Sequence, residues 1–327
     1  MAQRMNGDAV PVIMDVDPGH DDALAMLLAY ARPEIDLRAI TVVAGNQTLP
    51  KTLRNCLQLC TVAGMTTVPV AAGAGAPMLR SQEISPEVHG ESGLEGPQMP
   101  KPTMQPVPVH AVDLIARTIR ESDRPVTLIP TGPLTNIALF LLKYPDLKER
   151  IAHICLMGGA IAEGNKTPAA EFNIYVDPEA ARIVFNAGLP LTMIGLDVTH
   201  KALITPEHAR QLRETGGKVA TVVADLLEFF TLWHDATYQM GGAPLHDPCA
   251  VAEVIQPGIV TTRFRNVDIE VHGELTAGRT VVDLWQVTGK EPNVHVGVDL
   301  DTPAFVTMLL DAVRSYDSNR SSVVGSR

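Results

Sequence analysis

The chain of 327 residues is 46% hydrophobic and 4% aromatic, with a formal net charge of −11 at pH 7, enough length to bury a large α/β core. The acidic balance, without a run of Lys and Arg, excludes a phosphate-neutralising surface for nucleic acid, and so few aromatics exclude a stacking platform for single strands. Apolar stretches too short for a bilayer, and an opening apolar run too brief for a signal peptide, give the expectation of a cytoplasmic protein with no membrane partner.

The first apolar run, over 10–14, feeds Asp15-Val-Asp17-Pro-Gly-His-Asp21-Asp22, four carboxylates in eight residues, and the apolar stretch 23–31 leaves it. Pro18-Gly19 supplies the turn, so the segment reads as a strand–loop–helix corner. In open α/β sheets, ligands bind at such corners at the carboxyl ends of strands. Two like charges ~4 Å apart at an effective dielectric of ~20 repel by about 4 kcal/mol. Such crowding calls for protonation or a cation, and hard oxygen donors favour calcium or magnesium. The plainer account is capping, because one or two Asp in a first helical turn complement the helix dipole. It covers Asp21 and Asp22 but not Asp15 and Asp17, which precede the turn and share one face by the two-residue period of a strand.

The spacing then predicts a strand over 37–44, a helix over 50–63 and a strand over 68–71. Residues 72–106, rich in Gly, Pro, Ser and Met, form a long loop of the kind that is functional or mobile in a compact domain. Helix 111–121, strand 126–129, helix 133–142 and strand 151–156 follow. Asp177-Pro178 opens a helix with Asp at the cap and Pro at the first helical position, and 189–196 is the next strand. Helical segments cover about 205–240, residues 260–298 alternate like β-hairpins, and 302–313 is a closing helix. This alternation predicts an α/β fold: a single open, mainly parallel twisted sheet with helices on both faces and a small β-hairpin region near the C-terminus. Residues 1–315 read as one domain, and 316–327 as a polar tail, frayed or left over from cloning. Cys56, Cys60, Cys155 and Cys249 include no CxxC pair and read as small core residues, not disulfides or a zinc site.

Further signals stand in loops. Asn46 follows the second strand. Thr131-Gly-Pro-Leu-Thr-Asn136 follows strand 126–129, and Met157-Gly-Gly159 follows strand 151–156 and leads to Asn165 and Glu171-Phe172-Asn173. His246-Asp247-Pro248 opens a helix over 249–255. Each has an ordinary explanation: turns for Asn46 and Gly158-Gly159, and a cap for Asp247, which repeats the pattern of Asp177-Pro178 and Thr205-Pro206. Their expected common placement at one edge of the sheet is what marks them. If Glu171-Phe172-Asn173 is extended, Glu171 and Asn173 share a face and Phe172 points away. His234 and Tyr238 stand one turn apart on a helix, where packing against the core rim competes with a ligand role.

Together, Asp15 to Asp22, Val43-Ala-Gly-Asn46, His89-Gly-Glu-Ser-Gly93, Pro130 to Asn136, Leu156-Met-Gly-Gly159, Glu171-Phe-Asn173 and His246-Asp247 resemble the inosine–uridine-preferring nucleoside hydrolase family, in order over roughly 10–313. The similarity is greatest to bacterial ribonucleoside hydrolases that favour pyrimidines. The resemblance implies a nucleoside hydrolase fold and calcium-dependent cleavage of the N-glycosidic bond of ribonucleosides. Asp17, Asp22, the backbone carbonyl of Thr131 and Asp247 would hold Ca2+, a flexible oxygen cage that suits calcium better than magnesium. Asp21, Asn46, Asn165, Glu171 and Asn173 would bind ribose, with Phe172 in the same strip, and Asp15 would orient ligands from behind. Asp17 would take a proton from the attacking water, and His246 would serve the departing base. His89 would sit on a loop that closes over substrate. His234 departs from the amide that pyrimidine-preferring relatives carry there, whereas Tyr238 matches. A homo-oligomer, tetramer or dimer, is also implied.

Two rivals remain at this level. A Mg2+-dependent phosphatase also begins with Asp-x-Asp after a first strand, but this corner lacks the Thr or Val expected at Gly19 and any Lys or Arg between Asp15 and Arg32. A non-catalytic nucleoside-binding protein on the same scaffold is opposed by the intact set Asp17, Asp22, Asp247 and His246.

Overall fold

The computed structural model describes residues 9–318. The chain opens with β1 (Val10–Val16), α1 (His20–Ala31), β2 (Ile35–Val42), α2 (Leu49–Ala63) and β3 (Val70–Ala72). A long loop carrying the one-turn helix α3 (Pro86–His89) leads to α4 (Ala111–Glu121), β4 (Val126–Pro130), α5 (Thr135–Lys143) and β5 (Ile151–Met157). Next come α6 (Phe172–Val176), α7 (Pro178–Phe185), β6 (Leu191–Ile194) and α8 (Leu196–Thr199). The pair β7 (Leu203–Ile204) and β8 (Ala243–Pro244) brackets α9 (Pro206–Glu214) and α10 (Lys218–Tyr238). The chain then forms α11 (Pro248–Ile255), β9 (Val260–Arg265), β10 (Val267–Ile269), β11 (Thr280–Val282), β12 (Val294–Leu300) and α12 (Thr302–Ser318).

Eight strands form one sheet in the order β3-β2-β1-β4-β5-β6-β12-β9. All neighbours run parallel except β12 and β9, which are antiparallel. A parallel sheet covered on both faces needs strands that are apolar on both sides. Val12, Met14 and Val16 of β1 enter a core shared with α1, α2, α10, α11 and α12, while Ile13 enters a second core with α4, α5 and α7. In β5, Cys155 and Met157 face the first core and Ile154 and Leu156 the second. Helices therefore cover both faces, as the alternation predicted. From β1 the chain moves through β2 to β3 on one side and returns as β4 on the other. The crevice at the carboxyl ends of β1 and β4 is thus a topological switch point, where such sheets bind ligands.

The structure corrects several expectations. Only β10 and β11 form a separate antiparallel pair in 260–298; β9 and β12 extend the main sheet, with β12 parallel to β6. The strand expected over 189–196 is shorter, because Gly195 starts α8. Glu171-Phe172-Asn173 is not extended: Glu171 caps α6 and Asn173 lies in its first turn. The expected tail at 316–327 begins as the last turn of α12, and 319–327 lie outside the described residues. The four cysteines are free and buried, as read.

Candidate active site

The carboxyl ends of β1, β2, β4 and β5 meet the starts of α1 and α11 at the floor of a cavity of about 470 Å3. All four acidic residues of the first corner are buried, and so is Asp247. Asp21, Asp22 and Asp247 offer carboxylate oxygens within 4.8 Å of one another. Asp17 is tied to this group through its backbone N–H, which donates to Asp22 Oδ1 at 3.3 Å. Its Oδ2 accepts from the Asn46 backbone N–H at 2.7 Å, whereas its Oδ1 is buried with no partner. Asp21 Oδ1 is likewise buried without a partner. Asp22 accepts from Gly19 N, Asn46 Nδ2 and Thr131 Oγ1, so it caps α1 and braces three loops at once.

Small residues make this convergence feasible. A Cβ on Gly45 would lie 2.1 Å from Asp17 Oδ2, and one on Gly132 would lie 2.4 Å from Asp17 Oδ1. The β2 and β4 loops can therefore close on the Asp17 carboxylate only with glycine at both positions.

Asp15 stands behind the floor, outside the lining of the cavity. Its Oδ1 accepts from Thr41 Oγ1 at 2.5 Å and Asn136 Nδ2 at 2.8 Å, and its carbonyl accepts from Thr131 N at 2.8 Å. Asn136, the last residue of the Thr131 motif, thus links β1 to the β4 loop. Burial pushes the Asp15 carboxyl up to about 7. Burial, then the neighbouring Asp22, raises Asp21 to about 8 and holds Asp17 well above the ordinary carboxylate range. Asp247 rises for the same reason, with Asp21, Asp22 and Asp17 adding repulsion. Among the described residues, no Lys or Arg forms an ion pair with these five carboxylates.

That pattern fits a metal. The donors are hard oxygens, two of them are desolvated without a hydrogen-bond partner, and no protein cation neutralises them. The Thr131 carbonyl accepts from Asn173 Nδ2 at 2.7 Å, which holds that peptide in place and leaves it a second lone pair. The geometry groups Asp21 with Asp22 and Asp247 more closely than the assignment of Asp21 to ribose implies.

Glu171, Asn173 and Asn165 form the next wall. Glu171 Oε1 accepts from Asn173 N and its Oε2 from Gly159 N and Ile174 N, and burial raises its carboxyl to about 7. Asn165 Oδ1 accepts from Phe172 N at 2.9 Å. Phe172 lines the cavity beside Glu171 and Asn173, a placement the short helix allows and an extended strand would not.

Rings supply much of the remaining lining of the cavity. His89, His200, Phe230, Trp233, His234, Tyr238 and His246 line it. His234 Nδ1 lies 3.0 Å from the Phe230 carbonyl, which can only accept, so Nδ1 carries the hydrogen and the neutral ring keeps its lone pair on Nε2. Burial holds His234 down at about 4 and His246 well below its usual range. Tyr238 is half exposed at the rim, its ring 6.0 Å from that of His234. His89, on α3, is buried over the acidic loop, its Nδ1 3.2 Å from His20 Nδ1.

Several residues escaped the sequence reading. His20 lies between His89 and the Glu95 carbonyl, 2.9 Å from its Nε2, and stacks on Phe229 and Phe230, so it ties the long loop to the acidic corner. His200 and Trp233 complete the ring-lined wall. His20 sat inside the acidic motif and could have been weighed; His200 and Trp233 carry no local signature.

The comparisons agree with this architecture. The family model described as inosine-uridine preferring nucleoside hydrolase matches residues 12–307. A pyrimidine-specific ribonucleoside hydrolase RihA from Escherichia coli O1:K1 is 52% identical over 309 residues, covering 94% of this chain and 99% of the relative. The RihA of Shigella flexneri serotype 5b shows the same identity and coverage. Among solved structures, a purine-preferring ribonucleoside hydrolase from Gardnerella vaginalis superposes with a TM-score of 0.89 at 35% identity, covering 94% of this chain and 99% of that one. A plant nucleoside hydrolase, PpNRh1, reaches a TM-score of 0.88 at 29% identity, with coverage of 93% and 99%. With a matched family model spanning nearly all of its fold, the chain belongs to the inosine-uridine preferring nucleoside hydrolase family and is a ribonucleoside hydrolase.

Proposed function

We propose that this enzyme is a calcium-dependent ribonucleoside hydrolase that prefers pyrimidine nucleosides, uridine and cytidine, over inosine. The observation that carries the reading is a single cavity lined by two chemically different kinds of group. The lining includes the buried carboxylates of Asp21, whose Oδ1 has no partner, and of Asp247, with Asp22 grouped against them, and it also includes imidazole and aromatic rings. The carboxylates suit a cation and a ribose diol, the rings a planar base. The 52% identity to a pyrimidine-specific relative supports the base preference.

Asp17, Asp22, Asp247 and the Thr131 carbonyl would hold the cation, with Asp21 at its edge. When bound, it supplies Lewis acidity to a water and fixes the sugar hydroxyls. Asp17, whose Oδ1 has no other partner, accepts the proton of the water that attacks C1′. The Asn46 and Asn173 side-chain N–H groups are committed to Asp17, Asp22 and Thr131, which leaves their carbonyl oxygens to accept from ribose hydroxyls. Asp21, Glu171 and Asn165 complete the ribose contacts. Breaking the glycosidic bond builds positive charge on C1′ and the ring oxygen, and the carboxylates beside the sugar stabilise it. The departing base gains electrons, and His246 donates to it. Phe172 covers the sugar, His89 closes the cavity from above and excludes water, and His234 and Tyr238 flank the base.

Reducing-sugar release from uridine, cytidine, inosine and adenosine, with chelator and with calcium restored, tests this. Rapid turnover of uridine and cytidine, abolished by chelator and recovered with calcium, is expected. Inosine cleaved fastest would overturn the base preference, and full activity in chelator would overturn the cation.

A further inference from the structure

The donor proposed for the departing base has a fixed partner behind it. His246 Nδ1 lies 2.7 Å from Thr199 Oγ1. Thr199 ends α8 and is fully buried, and among the described residues His246 Nδ1 is the one hydrogen-bond partner recorded for its hydroxyl. A buried hydroxyl hydrogen needs an acceptor, and stranding it costs free energy. Were Nδ1 protonated, the threonine hydrogen would have nowhere to go. With Thr199 donating, Nδ1 is an acceptor, and the hydrogen of the neutral ring sits on Nε2, on the far side of the imidazole. His246 lines the cavity, so Nε2–H is the end presented to substrate.

The neighbouring imidazole is set the other way. His234 donates its Nδ1–H to the Phe230 carbonyl and presents a lone pair. The two histidines in one cavity are thus set to opposite tautomers, one by a carbonyl that can only accept and the other by a buried hydroxyl whose hydrogen has His246 Nδ1 as its acceptor.

We propose that Thr199 is a positioning residue for the reaction: its hydroxyl holds His246 as the Nε2–H tautomer, so that the ring meets the departing base as a hydrogen-bond donor. This rests on the reading of His246 as that donor. Without the hydroxyl, the Nδ1–H form becomes accessible and turns a lone pair toward a base that is gaining electrons, which opposes departure. The device matters for poor leaving groups and not for one that departs unassisted.

Thr199→Val removes the hydroxyl at nearly constant volume, and Thr199→Ser restores it. Steady-state rates are compared on uridine and on p-nitrophenyl riboside, whose leaving group is already stable as an anion. The valine variant is expected to lose about tenfold in kcat on uridine, with KM within about twofold of the parent, as expected when a contact of the transition state is lost. Its turnover of p-nitrophenyl riboside stays near that of the parent, and the serine variant recovers uridine turnover. Nitrogen-15 shifts of the His246 ring should report Nε2–H in the parent and a mixture of tautomers in the valine variant. Equal losses on both substrates, or an unchanged tautomer, overturn the proposal. His246→Ala separates it from its premise. If that variant loses uridine turnover selectively while Thr199→Val behaves as the parent, only the threonine role fails. If it affects both substrates equally, the donor reading fails and the threonine role falls with it.

Discussion

Two aspartates in this chain stand before a proline at the start of a helix, and the fold uses them in opposite ways. Asp177 is surrounded by donors: its Oδ1 accepts from Ala180 N at 3.0 Å, and its Oδ2 from Met78 N at 2.9 Å and Thr135 Oγ1 at 2.7 Å. It caps α7 and fastens the long loop and α5 to it. Asp247 precedes α11 in a helical conformation and makes no side-chain cap hydrogen bond. Its carboxylate instead turns toward Asp21 and Asp22. The same dipeptide therefore marks a structural joint in one place and a member of a buried carboxylate cluster in the other. What separates them is whether the carboxylate meets N–H and O–H groups or other carboxylates.

Breaking this contrast should begin at the acidic floor, where the effects are largest. Asp17→Asn keeps the shape but removes the proton acceptor, and kcat on uridine should fall by about 10³-fold while the circular dichroism spectrum is unchanged. Turnover within a few-fold of the parent would remove Asp17 from the chemistry. Asp247→Asn should lower turnover by about 100-fold at fixed calcium. It should also raise the calcium concentration for half-maximal activity, since one ligand charge is lost. In chelator, the same variant should melt no lower than the parent, because it relieves repulsion among buried like charges.

Asp177→Ala should invert that pattern. It strands three donors and removes a cap, so unfolding free energy should drop by about 2 kcal/mol, read by urea melts, while kcat and calcium dependence stay near those of the parent. A large activity loss with little loss of stability would erase the distinction between the two corners.

The smallest effect is in the pH dependence of stability. Asp15, Asp21 and Glu171 have folded-state values of about 7, 8 and 7, raised chiefly by burial above the ordinary range of about 4. These carboxyls bind more protons folded than unfolded, while the buried His20, His89, His234 and His246, held below their usual range, bind fewer and oppose them below about pH 6.5; above it the carboxyls act alone, and metal-free stability falls as pH rises to about 8. Melting temperature in chelator should decline by a few degrees from about pH 6.5 to 8, and calcium should flatten the slope by replacing the protons. A metal-free melting temperature that rises over that window would contradict the burial of these carboxylates.

Much of this was legible before the structure. The order of strands and helices follows from apolar runs separated by turn residues, and β1, β2, β4 and β5 lie within two residues of their expected bounds. Asp15 and Asp17 were marked as more than caps because they precede the turn. Periodicity could not tell that β9 and β12 join the main sheet, since a strand reads the same whether its partner is local or distant. Nor could it place Glu171-Phe172-Asn173, where a capping carboxylate overrides the local preference for an extended chain.

The amino-acid sequence alone determined the α/β alternation, the acidic corner and the set of motifs that belong at one edge of the sheet, because those depend on neighbours in the chain. Only the tertiary structure decided which Asp-Pro corner is a cap and which faces the cavity, and which nitrogens of His234 and His246 carry a proton. Those outcomes are set by groups 47 to 109 positions away along the chain, such as Thr131 against Asp22, Met78 against Asp177 and Thr199 against His246, or by a backbone carbonyl one turn back, Phe230 against His234. Proton placement and ligand geometry are properties of what packs around a side chain, and packing exists only once the chain has folded.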